Sequence, residues 1–285
     1  MAQRSNNQEL TILSWNISQA MAIPRQGLWQ ISASSPSDFN PLYAALGISS
    51  VISDSKADIV LLQELPSQDG WKQLPGHLAK LYSGLTLGGA ESHSGYCVVL
   101  ISHLIRDSFK ICFEAIVGPT QIAVFSYHSS KTGETTKLAI IGGHLSPSNK
   151  MAANRASEID QAILVAREQH CDNIIFGGDL NMRNAETRLI YQKGLRDAFV
   201  ELGNPKNHEF TWNSRKNKYH SGGYSFTCRF DRFLFSGRVA PVNLEIIGDK
   251  PVTNYGSGSS GGSSGGSSDS HYLSDHYGLI TRWDI

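Results

Sequence analysis

An excess of charge of either sign is what this sequence most plainly lacks. Its 285 residues carry 25 Lys+Arg against 25 Asp+Glu, a formal net charge of +0. That excludes a broadly basic coat for sequence-blind nucleic-acid binding, so an anionic partner has to be held locally, by a few residues and a metal ion. Long apolar runs are missing too. Nothing is long enough to span a membrane, and the opening MAQRSNNQELTILSW has no signal-peptide core. The expectation is a protein that is not secreted and has no membrane partner. Cysteine is scarce: Cys97, Cys112, Cys171 and Cys228 are widely spaced with no CxxC pair. This argues against a structural zinc site and predicts four buried free thiols in a reducing compartment. No internal repeat is found at a fixed period. What is present, 40% hydrophobic and 9% aromatic residues, is enough for a core, because at this length roughly 75% of the unfolded chain's surface can be buried.

Short apolar runs alternate with amphipathic stretches. ELTILSWNI, ADIVLLQEL, GYCVVLIS, QIAVFSYHS, KLAIIGGHL, CDNIIFGGDL, RFDRFLFS and HYGLITRW read as strands, and VNLEII is strand-like. NPLYAALGISSVISDSK and NKMAANRASEIDQAILVAREQH carry apolar residues at helical spacing, with Ile159, Ile163 and Ala166 on one face. The class is α/β. Strands succeed one another from Tyr96 to His144 without a helix, which points to mixed or antiparallel sheets rather than a purely parallel one. The segment 256–268, GSGSSGGSSGGSS, cannot bury apolar area and is expected to be a flexible loop inside a single domain spanning 1–285.

Polar residues recur where the apolar runs end: Asn16, Glu64, His144, Asp179 with Asn181, Asp231, and Asp275-His276. Any one of them has a plain structural explanation, as a turn residue, a strand-end charge or a satisfied imidazole. The ordered set is hard to assemble without a common site, because strand ends in α/β folds aim side chains into one crevice. Carboxylate and amide oxygens without a Cys ligand or a His pair favour a hard divalent cation, most naturally Mg²⁺, with Mn²⁺ as a substitute. Glu64 is expected to hold the ion directly, with Asn16 and Asp275 at its edge or through water. Asp179 and Asn181 would orient a water for in-line attack, and His276, paired with Asp231 and held protonated, would bind a phosphate oxygen. The chemistry is phosphoester hydrolysis.

At these residues the sequence resembles the endonuclease/exonuclease/phosphatase superfamily, the DNase I-like fold. The motifs SWN, LQE, GDLN and SDH appear in order at residues 14–16, 62–64, 178–181 and 274–276. The resemblance implies a four-layer sandwich of two mixed β-sheets flanked by helices, and Mg²⁺-dependent cleavage of phosphoesters. Within the superfamily, GGDLNMRNAET, LRDAFVELGNPKNHEFTWNSRKN, CRFDRFLFS and LSDHYGLI resemble the 5′-tyrosyl-DNA phosphodiesterases. That branch implies a DNA-repair nuclease releasing a trapped topoisomerase II peptide from a DNA 5′-phosphate. It further implies a nuclear or cytoplasmic location, and the protein is expected to be a monomer. It places Trp212 in the nucleic-acid groove, Arg183, Arg229 and His144 near the phosphate, and Tyr96 at the rim. Pro147-Ser148-Asn149 stands where the branch carries a Ser-Thr-Arg run, leaving fewer groove cations. Two rivals stay open. A phosphoinositide 5-phosphatase fits Gly178–Arg183, although its Trp-Cys-Asp-Arg signature is replaced by Cys228-Arg229-Phe230-Asp231-Arg232. A catalytically inactive phosphate-binding scaffold is disfavoured by the intact acidic set.

Overall fold

The computed structural model describes residues 8–18, 41–75, 78–217, 219, 225–253 and 270–285, so the expected Gly/Ser loop at 256–268 lies outside the described residues. The strands, in chain order, are β1 (Glu9–Asn16), β2 (Ile59–Leu65), β3 (Tyr82–Gly84), β4 (Ala90–Ser92), β5 (Gly95–Ser102), β6 (Phe109–Val117), β7 (Thr120–His128), β8 (Thr135–His144), β9 (Asn173–Asp179), β10 (Arg196–Asp197), β11 (Trp212–Asn213), β12 (Thr227–Cys228), β13 (Asp231–Ser236), β14 (Ala240–Ile247), β15 (Val252–Thr253), β16 (Ser270–His271) and β17 (Gly278–Asp284). The helices are α1 (Pro41–Ser55), α2 (Leu78–Leu81), α3 (Ala152–Glu168), α4 (Thr187–Gln192) and α5 (Ala198–Glu201). None of the described helices is long and apolar enough to cross a membrane.

The apolar runs read from the sequence form the centres of two mixed sheets. One has the order β14-β17-β1-β2-β5-β3, with β4 also on β5; the other runs β10-β13-β9-β8-β7-β6. Each contains one parallel pair, β1 with β2 and β8 with β9. The remaining pairings of the two sheets are antiparallel, as the helix-free stretch from Tyr96 to His144 requires. β6 was not anticipated, because as an edge strand it mixes Lys110 and Glu114 among its apolar residues. Cys112 sits on it and is exposed, and Cys228 is only half-buried, so two of the four thiols depart from the expected burial; all four are free.

Apolar side chains alternate between the two faces of each sheet and build three cores. The middle core joins the facing sheets through Leu10, Ile12, Leu61, Val99, Phe125, Ile140, Ile175, Phe233 and Trp283. A second lies between the first sheet and α1, and a third between the second sheet and α3. This is the helix–sheet–sheet–helix order of a four-layer sandwich. Gly177 allows the sheets to close at one point: a Cβ there would lie 2.4 Å from Phe233 Cε1 and 2.7 Å from Leu61 Cδ1.

The interior also holds charge. Asp197, at the end of β10, accepts from Phe199 N at the start of α5 and from Arg229 and Arg232 at 2.8–2.9 Å. All three charged groups are buried. One carboxylate thus caps a helix and pairs with two guanidiniums, and removing it leaves two cations facing each other in the interior. Asp197→Ala is expected to cost about 3–5 kcal/mol in urea unfolding, the range for breaking a buried pair. Asp160→Ala, which removes the exposed partner of Lys193, should cost no more than about 1 kcal/mol.

Candidate active site

Strand register assembles the site. In the second sheet His144 lies opposite Asp179 across the parallel pair, and Asp231 lies opposite Asp179 across the antiparallel one. Three neighbouring strands therefore deliver an imidazole and two carboxylates at one level. In the first sheet Asn16 ends β1 opposite Gln63, and Glu64 follows at a bulge in β2 where its φ is 61°. The 274–276 loop enters just before β17. It is tied down by Ser274 Oγ donating to Asn16 O and by Trp15 Nε1 donating to His276 O.

Asn16 links the sheets: its Nδ2 donates to Glu64 Oε1 at 3.2 Å and to Asp179 Oδ2 at 3.0 Å. Its amide oxygen accepts from Ser18 N, so Asn16 acts as an orienting donor between the two acids. Asp179 also accepts at Oδ1 from Asn181 N, while Asn181 Nδ2 donates to Leu145 O; both contacts fix the turn after β9. His276 Nδ1 lies 2.8 Å from Asp231 Oδ2, and its Nε2 lies 3.6 Å from Asp179 Oδ2. His144 Nε2 lies 3.5 Å from Asp179 and 3.9 Å from Glu64.

These surroundings pull the titrations apart. Burial would lower His276, but Asp231 and Asp179 on either side outweigh it and hold it well above the usual imidazole range. Burial likewise would raise Asp179, and the His276 cation with the Asn16 and Asn181 hydrogen bonds keeps it below the carboxylate range. His144 is pushed down to about 4, chiefly by burial, and is neutral. Glu64 is pushed up to about 7 by burial and by Asp275 nearby. An ionised Asp179 thus stands between a cationic and a neutral imidazole, which separates acid and base roles. Asp179, Asp231 and His276 bring ligand atoms within 4.8 Å of one another, a group of the kind that holds a metal. Here, however, the protonated His276 already serves as the counter-cation. Glu64 and Asp275 repel one another across the site, which is one of the causes that raise Glu64.

Aromatic rings wall the His276 side. Trp212 stands edge-on to His276 at 5.0 Å and stacks on Phe226 at 5.9 Å, with Phe230 edge-on to Trp212. The guanidinium of Arg183 lies over Phe230 at 4.6 Å and donates to Asn181 O.

One expectation fails. The Arg229 guanidinium is buried over Phe199 and bound to both oxygens of Asp197, which takes it out of phosphate contact. Tyr96 is half-buried and packs against the helix-covered core of the first sheet. Other residues were missed. Ser92 and Ser94 touch His144 and Glu64. Asn217 Nδ2 donates to Ser274 O and Asp275 O. Tyr219 is a half-buried phenol near Asp275, which raises its pKa further than burial alone. Their one sequence signal was position, in short polar stretches beside Gly95-Tyr96 and Trp212.

The Endonuclease/Exonuclease/phosphatase family profile matches residues 13–276. Tyrosyl-DNA phosphodiesterase 2 from Danio rerio is 26% identical over 283 residues, covering 95% of this chain and 66% of that protein. The human protein of the same name is 23% identical over 99% of this chain and 70% of its own length. The chain therefore spans about two thirds of the length of such relatives. A crystal structure of the Danio rerio enzyme with a single-strand DNA product superposes with a TM-score of 0.69 at 20% identity, covering 98% of this chain and 100% of that one. A Bacteroides thetaiotaomicron mannosyl-6-phosphatase superposes with a TM-score of 0.60 at 13% identity, covering 97% and 100%. Both likenesses establish the DNase I-like fold. By its fold and by a match across nearly its whole length, the chain belongs to the endonuclease/exonuclease/phosphatase family.

Proposed function

We propose that this chain is a Mg²⁺-dependent phosphodiesterase that releases tyrosyl peptides, of the kind left by topoisomerase II, from DNA 5′-phosphates. The observation that carries the hydrolytic part is the ionised Asp179 between cationic His276 and neutral His144. Support for a tyrosyl-DNA substrate comes from the relatives' names and from the aromatic wall of Trp212, Phe226 and Phe230, whose faces suit base stacking. In this reading residues 1–285 act as one catalytic domain, working in the nucleus.

Asp179 accepts the proton of an attacking water, its geometry fixed by Asn16 and the Asn181 N–H. His276, aimed by Asp231, donates to a non-bridging phosphate oxygen as charge develops in the transition state. The leaving tyrosine phenol has a pKa of about 10, so it departs with little general-acid help. Glu64 and Asp275 suit a hard cation, because both offer carboxylate oxygens and their mutual repulsion is relieved by a positive charge. Bound there, Mg²⁺ would neutralise phosphate charge and polarise the scissile bond. Trp212 is half-buried, and its remaining exposed ring surface would take a substrate base.

A panel of a 5′-tyrosyl oligonucleotide, a soluble inositol polyphosphate and a sugar phosphate, each with and without EDTA, tests the assignment. Cleavage of the oligonucleotide alone, lost in EDTA, is expected; preference for the inositol or sugar compound overturns it. Asp179→Asn should lower kcat by about 10²–10⁴ while the far-UV spectrum stays unchanged.

Two pH effects follow from the site charges. Because His276 is held above its ordinary range, its protonated form persists through neutral pH and is lost only as pH rises through the elevated value. Asp231→Asn should move the alkaline limb of kcat/KM to lower pH. For Glu64 the metal-free fold binds more protons than the unfolded chain between 4.5 and about 7. Its contribution to stability is therefore full below 4.5 and lost as pH rises through 7. Saturating Mg²⁺ should consequently raise Tm more at pH 8 than at pH 5.5 in thermal melts.

A further inference from the structure

Three consecutive side chains, at the end of β4 and in the two-residue turn to β5, reach the site. Ser92 Oγ donates to Gly95 O at 2.9 Å and lies 3.2 Å from His144 Nδ1. Ser94 Oγ donates to Glu64 Oε1 at 3.0 Å. His93 is exposed, sets its ring at 62° to that of His144 with centroids 4.3 Å apart, and brings Nε2 to 3.1 Å from Ser94 Oγ. A hydroxyl carries one proton, and Ser94 gives its proton to Glu64. The contact with His93 is therefore an N–H donated by the imidazole to Ser94 Oγ. Hydrogen bonds aligned in one direction, from His93 to Ser94 to Glu64, polarise one another.

The backbone tells the same story independently. Glu64 sits in the left-handed region at φ 61°, and Gly95 at φ 125° is pressed against it. A Cβ at Gly95 would lie 2.6 Å from Leu65 O and 3.3 Å from Glu64 Cα. The turn therefore approaches Glu64 as closely as a glycine permits, and from that approach Ser94 grips the carboxylate. The opposite grip comes from Asn16 Nδ2 on the same Oε1. Between the two, one carboxylate oxygen is fully engaged and the orientation of the other is set.

We propose that Ser94, oriented by His93, is a positioning residue that aims the Glu64 carboxylate at a divalent cation. Through Ser92 the same segment fixes His144, so the cation site and the neutral imidazole beside Asp179 are set by one element. The inference rests on Glu64 holding the cation. Nothing in the motif residues themselves encodes it, since Ser92, His93 and Ser94 contact the site only across the β2–β5 and β4–β5 pairings.

Titration calorimetry with Mn²⁺ alone on the full chain tests it without a substrate. Ser94→Ala should weaken Mn²⁺ binding about 10-fold or more, the scale seen when a group that orients a metal ligand is removed. Ser94→Thr, which keeps the hydroxyl, should stay within about two-fold of wild type by the same reasoning, and His93→Ala should fall between the two. At saturating Mn²⁺ the KM for a 5′-tyrosyl oligonucleotide should be nearly unchanged in Ser94→Ala, because a cation-positioning role acts before substrate contact. Wild-type Mn²⁺ affinity in Ser94→Ala, or equal loss in Ser94→Thr, overturns the proposal. A wild-type chain that binds no Mn²⁺ overturns it together with the metal reading. A chain that binds Mn²⁺ with the expected Ser94 dependence and leaves the oligonucleotide intact overturns the substrate reading and supports this one.

Discussion

The amide of Asn16 is the contact on which the site depends. It is fully buried at the end of β1, and its two N–H bonds reach Glu64 in its own sheet and Asp179 in the opposite one. Two acids from different sheets would repel if brought together without a donor between them. In this protein the donor is neutral, rigidly held and itself anchored at Ser18 and Ser274. Around it the charges alternate: the cationic His276 lies between Asp231 and Asp179, and a neutral His144 lies beyond. Buried ions survive only with partners on every side, and the strand registers provide them.

That arrangement also explains the division of labour between carboxylates of one chemical type. Asp179 meets a cation and two N–H donors, so it stays ionised with its oxygens fixed in place. Glu64 meets another acid and little water, so it waits for a positive charge. Neither property belongs to the residue; each is imposed by what the neighbouring strands carry.

Much of this was legible in the chain itself. The eight apolar runs became the central strands, and Asn16, Glu64, His144, Asp179, Asp231 and His276 were recognisable because apolar runs break off at them and strand ends converge. What escaped notice depended on distant pairings. Arg229 looked like a phosphate ligand because nothing in its own neighbourhood announces Asp197, 32 residues earlier, as its partner. The Ser92–Ser94 turn gains its meaning only when β5 pairs with β2. Edge strand β6 hid because its outward residues are half polar.

Glu64 holds a backbone conformation that residues other than glycine, asparagine and aspartate rarely adopt, and it carries a half-buried acid there. Left-handed backbone of this kind costs about 1–3 kcal/mol and persists only when the surroundings compel it. Glycine at 64 would relieve the torsion and delete the desolvated carboxyl in one step. The same residue thus carries both the strain and the ligand, and the chemistry of the site is set at the expense of the hardiness of the fold.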